Sequence, residues 1–258
     1  MTETQLSGLS ANQNHGIDRP LFHCSWDRAL FLHYRVAPEY LQPQIPFELD
    51  LHDGQAYVSL VAFTLRNMRI DHPKFGWLTH PLHTHAFLNV RTYVRVGKLR
   101  GIYFLAEWLN NRLATMLGPI LYGLPYRFGQ LTYSHNASHL SGQILGGMSS
   151  AGKKTPMPVR GVLGYRAALP SSPIYEPAAP STLDHFLLER YIAFTKHGPF
   201  RRLFHVWHGP WPQTEIDAQI ESDTLLHQTG PWFQDAQFVS ANFSPGLSDV
   251  QMGCPRTL

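Results

Sequence analysis

"NVRTYVRV", residues 89–96, alternates with a strict period of two, and its two faces carry different chemistry. Asn89, Arg91, Tyr93 and Arg95 fall on one side, and Val90, Thr92, Val94 and Val96 on the other, which is the pattern of a β-strand. "LRGIYFLA" (99–106) follows across Gly97–Lys98 and reads as its antiparallel partner. The polar face has two readings. In an open sheet it is the solvent side, since antiparallel sheets often leave one face wet. In a small closed barrel it points into a lumen that can hold a ligand. Arginines and tyrosines in such a lumen select a carboxylate or another anion through bidentate hydrogen bonds.

Working outward, "ALFLHYRV" (29–36) and "QAYVSLVAFTL" (55–65) read as further strands, the second rich in β-branched and aromatic residues. "PEYLQPQIP" between them is a short helical turn with Pro at its start. Leu105, Leu109, Leu113, Leu117 and Ile120 recur at three- to four-residue spacing and predict one amphipathic helix, with Gly118-Pro119 bending or fraying its last turn. A corner at Gly123–Pro125 returns the chain to a strand over 126–135, and more strands are expected near 139–146 and 158–167. "PSTLDHFLLERY" opens a short helix from Ser181 or Thr182, and "RYIAFT" with "FRRLFHVW" makes a hairpin across Lys196–Pro199. The tail over 246–258 has no clear pattern and is expected to be irregular. One dominant helix among many antiparallel strands argues for an α+β, mainly antiparallel β, single domain over 20–245. Strands and helices do not alternate, so a doubly wound sheet is excluded.

The composition fits. Lys and Arg exceed Asp and Glu by only 21 to 18, and the cations are scattered, 16 Arg against 5 Lys. A nucleic-acid binder concentrates such charge on one face, so no nucleic-acid partner is expected. Two cysteines, Cys24 and Cys254, form no disulfide framework, and a cytoplasmic location follows from that count. No stretch approaches the roughly 20 apolar residues of a membrane helix, and no membrane partner is expected. Residues 1–19 are polar and read as a disordered arm.

Several motifs fail on inspection. "GMSSAGKK" (147–154) has the glycine spacing of a phosphate loop, but Lys154 stands where a hydroxyl would bind magnesium and prolines follow at once. It reads as an exposed glycine hairpin. His80/His83/His85, His135/His139 and His205/His208 each lack a close cysteine, and carboxylates are scarce nearby, so no metal and no cofactor are expected. Glu189 and Arg190 read as a solvated pair, Tyr191 as a core residue and "HGPWP" (208–212) as a rigid turn around Trp211.

"LFLHYRVAPEYLQPQIPFELDLHDGQAYVSLVAFTLRNMR", "NVRTYV", "YGLPYR" and "FLLERYIAFT…HGPWP", taken together over about residues 20–215, resemble the uncharacterised YqjF-like family. That family is grouped with the acetoacetate decarboxylase superfamily. The resemblance implies a compact closed β-barrel of the acetoacetate decarboxylase type, with a central cavity, a few flanking helices and frequent homo-oligomers. It also aligns "GIYFLAEWLNNRLATMLGPILYGLPYRF" with the decarboxylase segment that ends in Pro-Lys-Lys, where one lysine forms a Schiff base. Pro125, Tyr126 and Arg127 stand there in this chain. A tyrosine has no amine and an arginine is always protonated, so neither forms an imine. The decarboxylase glutamate falls near Phe87 or Leu88, and its pocket arginine near Asp27 or Arg28 after a one-residue shift. Acetoacetate decarboxylation is therefore not expected, and Lys153-Lys154 is a lysine pair in the wrong place.

Three functions remain open. The first is a small-molecule-binding barrel for a carboxylate or other anionic metabolite, with Arg91, Tyr93, Tyr126, Arg127 and Tyr191 as ligand-binding residues. The second is a lyase or isomerase on an oxo acid that works without a Schiff base, with Tyr126 as acid/base and Arg127 stabilising an enolate. The third is a structural or interaction module with a filled barrel. Alternation lets only one of Tyr126 and Arg127 point inward. A pocket histidine or glutamate close to Tyr126 would strengthen the second function, and an all-apolar lining with one arginine would favour binding alone.

Overall fold

The computed structural model describes residues 19–72, 80–136, 139–146 and 161–258. Residues 1–18 of the expected disordered arm and the 147–154 hairpin lie outside the described residues. Among the described residues thirteen strands follow one another: β1 (Pro20–Val36), β2 (Glu48–Leu49), β3 (Ala56–Ile70), β4 (His85–Val96), β5 (Leu99–Leu109), β6 (Tyr126–His135), β7 (His139–Gly146), β8 (Gly161–Ala168), β9 (Ile192–His197), β10 (Phe200–Trp207), β11 (Thr214–Ser222), β12 (Gln237–Gly253) and β13 (Arg256–Thr257). The helices are short: α1 (Pro38–Leu41), α2 (Arg112–Tyr122) and α3 (Leu183–Leu188). None is long and apolar enough to cross a membrane among the described residues.

The sheet closes on itself. β5, β6, β7, β8, β11, β12, β1, β3 and β4 are hydrogen-bonded in that order, and β4 pairs back onto β5. A second circuit shares half of the first, because β9 and β10 also bridge β5 to β12. Pairing is antiparallel except where β5 meets β6 and β9, so the fold is α+β with antiparallel dominance, as expected.

The shared strands are long enough to be buried on both faces. Leu30, Leu32, Tyr34 and Val36 of β1, with Val58, Leu60 and Ala62 of β3, enter one core with Trp108, Ile144, Leu163 and Tyr165. Ala29 and Phe31 of β1, with Tyr57, Val61, Phe63 and Leu65 of β3, enter a second core beneath α2 and α3. Successive side chains point to opposite faces, so one set of strands builds two cores. The "NVRTYVRV" strand therefore has no solvent face in its middle. Arg91 is 6% exposed and Tyr93 fully buried, and solvent is reached only towards the ends, partly at Asn89 and Val96 and openly at Arg95.

Three elements differ from the sequence expectation. Leu105 and Leu109 belong to β5, not to the helix, which starts at Arg112 from the Asn111 cap. The helix runs through Pro119 to Tyr122 and ends on Gly123, whose left-handed φ of 75° lets its N–H reach Pro119 O. Of its leucine stripe only Leu117 packs on the core: Leu113 and Ile120 are exposed, whereas Ala114, Gly118 and Tyr122 are buried. The cause is close approach, since a Cβ on Gly118 would sit 2.2 Å from the Tyr126 ring. Finally, the stretch from Gly246 is not irregular. It is the second half of β12, held by β1 along its length and by β10 near its end.

Candidate active site

The second-core face of the shared strands carries the polar residues. β4 contributes Asn89, Arg91 and Tyr93, and β3 places Ser59 opposite Arg91. β1 places His33 beside Ser59, and β12 pairs Asn242 with Phe31. β5 sets Glu107 opposite Asn89, and β6 sets Tyr126 beside Glu107.

One half of this face is a closed hydrogen-bond chain. Asn242 Nδ2 donates to Asp184 Oδ2 at 3.2 Å and Gln213 Oε1 at 2.7 Å, which turns Asn242 Oδ1 towards His33 Nε2 at 3.0 Å. An amide oxygen only accepts, so the His33 proton sits on Nε2. His33 Nδ1 then accepts from Ser59 Oγ at 2.6 Å, and Ser59 accepts from the Tyr93 hydroxyl. Leu187 O, 2.9 Å from that phenol, receives Arg91 Nη2 at 3.0 Å. Burial first, and then the Arg91 charge, push the His33 pKa from 6.5 to about 3, so the imidazole is neutral. His33, Ser59 and Asn242 have no exposed surface at all.

The other half of the face is unpaired. Arg91 Nε, Asn89 Oδ1 and Glu107 Oε2 are buried without a hydrogen-bond partner. Arg91 lies over the Phe31 ring at 5.7 Å, and no carboxylate comes within 4.0 Å of it among the described residues. Same-face positions on a strand are about 6.6 Å apart and neighbouring strands about 4.8 Å, so Asn89, Arg91, Glu107 and Tyr126 share a patch roughly 7 by 10 Å. Burial raises the Glu107 pKa well above 4.5, which keeps the carboxyl protonated and able to donate.

A cavity of about 220 Å³ opens beside this patch, roofed by α2. Leu65, Met68, Leu82, Phe87, Leu117 and Met252 supply apolar lining, and His85 and Tyr126 also line it. Burial pushes His85 down to about 4 and holds the Tyr126 phenol well above 10, so both are neutral at pH 7. The Phe87 and Tyr126 rings meet edge to face at 5.6 Å at the side nearest Glu107.

The residues singled out from the sequence divide among separate surroundings. Arg91 and Tyr93 meet at Leu187 O. Tyr126 turns into the α2 cavity, and Arg127 turns to the opposite core, over Trp108 at 5.2 Å and donating to Gln228 O at 3.2 Å. Burial lowers the Arg127 pKa. Tyr191 donates to Glu189 Oε2 and packs on His208 at 4.8 Å. Glu189 and Arg190 are not a solvated pair. Glu189 Oε1 accepts the Trp211 N–H at 2.9 Å, and buried Arg190 binds Asp50 at 2.7 Å, which Arg100 also engages. Arg28 donates to His135 O and Asp27 pairs with Arg66, so both are engaged elsewhere. His80 and His83 stack at 6.0 Å while His85 turns inward, and no group of three or more metal-binding side chains converges among the described residues.

Sequence reasoning missed Glu107 and the pairing of Asn89 with it. The signal for Glu107 was a lone carboxylate inside the apolar run "IYFLAEWL", where burial forces either a partner or a proton.

The comparisons with known proteins agree with this architecture. The chain is 29% identical over 212 residues to the uncharacterized protein YqjF of Bacillus subtilis (strain 168), covering 80% of each chain. Its fold is similar to an acetoacetate decarboxylase-like enzyme from Sphingomonas wittichii RW1, with TM-score 0.60, 14% identity and 94% of each chain covered. It is also similar to acetoacetate decarboxylase from Legionella pneumophila, with TM-score 0.58 and 12% identity, covering 100% of this chain and 96% of that one. A third likeness is the enduracididine biosynthesis enzyme MppR complexed with pyruvate, with TM-score 0.57 and 14% identity over 96% and 93% of the two chains. The fold is thus that of the acetoacetate decarboxylase-like proteins. A family model covers residues 23–247, and the chain belongs to the DUF2071 family of uncharacterized conserved proteins.

Proposed function

We propose that the protein binds a small carboxylate-bearing molecule on the second-core face, with Arg91 as its anchor. The observation that carries this reading is the guanidinium itself. Among the described residues it is buried, lacks any carboxylate within salt-bridge distance and keeps Nε unpaired beside two other unpaired polar atoms. A buried charge without a counter-charge costs several kcal/mol, and a bound carboxylate would offset that cost through a charge-assisted hydrogen bond. Asn89 and protonated Glu107 then orient the ligand. Arg91 Nη2 holds Leu187 O at 3.0 Å, while the Tyr93 proton goes to Ser59. Arg127 and Tyr191 face other surroundings and take no part in this arrangement. The pyruvate bound in MppR agrees in ligand class.

The test is a thermal-shift titration with pyruvate, acetate, phosphate and neutral acetamide, on wild type and Arg91→Met. A ligand at 100 times its Kd adds about 2.7 kcal/mol of stability. A shift with the carboxylates, absent with acetamide and lost in Arg91→Met, supports the reading. A carboxylate shift that survives in Arg91→Met overturns it.

A second reading is favoured by one observation: His85 and Tyr126 line one cavity and Glu107 is next to Tyr126 in register. An isomerase or lyase on an oxo acid needs a base for the carbon proton and an acid for the enolate oxygen. Neutral His85 accepts, and the Glu107 carboxyl donates. Solvent deuterium appearing at C3 of a bound 2-oxo acid, and disappearing in Glu107→Gln while binding persists, identifies it. No exchange in wild type removes it. Tyr126 and Arg127 offer no amine for a Schiff base in either reading.

A further inference from the structure

The cavity beneath α2 contains no charged side chain among its lining residues, so it cannot receive the charged head of an anionic ligand. It is nevertheless built against the polar patch. Phe87, which lines it, is two residues before Asn89 on the same face of β4, and Tyr126, which also lines it, sits in register with Glu107. Its outer rim is also apolar: Met68, Ile70, Leu117 and Met252 are partly exposed there. Two of these are methionines, whose unbranched side chains adapt to varied shapes. The Tyr122 hydroxyl is engaged with Gly253 O at 3.1 Å and offers no free donor to the lumen.

We infer that this cavity receives the apolar tail of the ligand whose carboxylate Arg91 holds, which makes the ligand class aryl or branched-alkyl carboxylic acids. The inference rests on the Arg91 reading and adds a size and a polarity to it. A void of about 150 Å³ holds benzene, so 220 Å³ accommodates a tail of roughly six to nine non-hydrogen atoms. The tail passes between the Phe87 and Tyr126 rings and replaces their edge-to-face contact with contacts of the same kind. A charged or strongly hydrated tail is excluded because the lining cannot pair it.

The experiment compares acetate, 4-methylpentanoate, phenylacetate and neutral toluene by calorimetry and thermal shift, on wild type, Arg91→Met, Leu117→Trp and Met68→Phe. Leu117 comes from α2 and Met68 from β3, so one filling variant keeps the test alive if the other fails to fold. Each buried methylene is worth roughly fourfold in affinity. Phenylacetate should therefore bind wild type at least about tenfold more tightly than acetate. Filling the cavity should bring phenylacetate down to the acetate level and leave acetate unchanged. Equal binding of acetate and phenylacetate, with no effect of filling, overturns the tail site while the Arg91 reading stands. Toluene binding without any acid binding overturns the Arg91 reading and, with it, the acid class. No binding of any of the four probes overturns both.

Discussion

Two halves of one sheet face, a few ångströms apart, solve the problem of buried polarity in opposite ways. In the chain Tyr93–Ser59–His33–Asn242, every donor has an acceptor, and a single proton arrangement satisfies all of them. In the patch Asn89–Arg91–Glu107, three atoms have no partner. Both are surrounded by the same aromatic core. Satisfied buried networks rigidify a fold, whereas an unsatisfied group in a native structure asks for an explanation such as a ligand. Ser59, His33 and Asn242 are spaced like a nucleophile, base and orienter, but all are fully buried and the hydroxyl is saturated. Hydrogen-bond saturation, not residue type, separates scaffold from site here.

The comparison is broken most directly at His33. His33→Leu removes the central link and strands Asn242 Oδ1 and the Ser59 hydroxyl in the core. Each stranded group costs roughly 1–3 kcal/mol, so urea unfolding should show a loss of about 2–5 kcal/mol. A loss below about 1 kcal/mol, the size of an ordinary surface change, would mean the chain is no scaffold.

Acid should act on the His33 chain and, through His85, on the cavity beside the patch. The unfolded chain protonates each histidine near 6.5, but the fold holds His33 neutral down to about 3 and His85 down to about 4, each by burial first. Stability is therefore complete above about pH 6.5 and falls as pH drops towards 4, at up to about 1.4 kcal/mol per pH unit for each group. Chemical denaturation from pH 7 to 4.5 reads this slope, and His33→Leu should flatten its share of it. An unchanged slope would place the acid lability elsewhere.

Glu107 should titrate with the opposite sign. Its carboxyl stays protonated in the fold while the unfolded chain ionises above about 4.5. Stability on its account falls as pH rises from there towards the folded pKa, at up to about 1.4 kcal/mol per pH unit. Glu107→Gln keeps the shape and abolishes the titration, so the variant should gain on wild type as pH rises above about 4.5. A difference that stays constant as pH rises would show that burial does not hold the carboxyl protonated.

Much of this was legible in the sequence. The period of two in "NVRTYVRV" put Arg91 and Tyr93 on one face, and Gly97 placed the hairpin. Alternation at the Gly123–Pro125 corner required Tyr126 and Arg127 to diverge, and they do. What stayed hidden depends on partners distant along the chain. The Arg190–Asp50 pair spans 140 positions, and Glu107 gains meaning only from its register with Asn89 and Tyr126. The strand through Gly246 has weak local alternation and is imposed by β1. The α2 stripe misled because close packing on Tyr126 selected small residues for the buried face.

The sharpest form of the comparison is the smallest expected effect. Arg91 belongs to both halves, donating to Leu187 O from one and leaving Nε unpaired in the other. If it were scaffold, Arg91→Met would cost as much as His33→Leu, because a donor, a charge and a ring contact with Phe31 are lost together. If it is a binding group, the unliganded protein carries its charge at a penalty. Replacing buried charge by a well-packed apolar side chain of similar volume is often neutral or stabilising. The lost bond to Leu187 O works against that gain, and the Tyr93 hydroxyl, 2.9 Å from that oxygen, can turn its proton from Ser59 to it. The unliganded variant should therefore unfold within about 1 kcal/mol of wild type, while its response to carboxylates disappears. A destabilisation of about 3 kcal/mol, the cost of leaving a buried group stranded, would move Arg91 to the scaffold side and leave Asn89 and Glu107 alone as the unpaired patch.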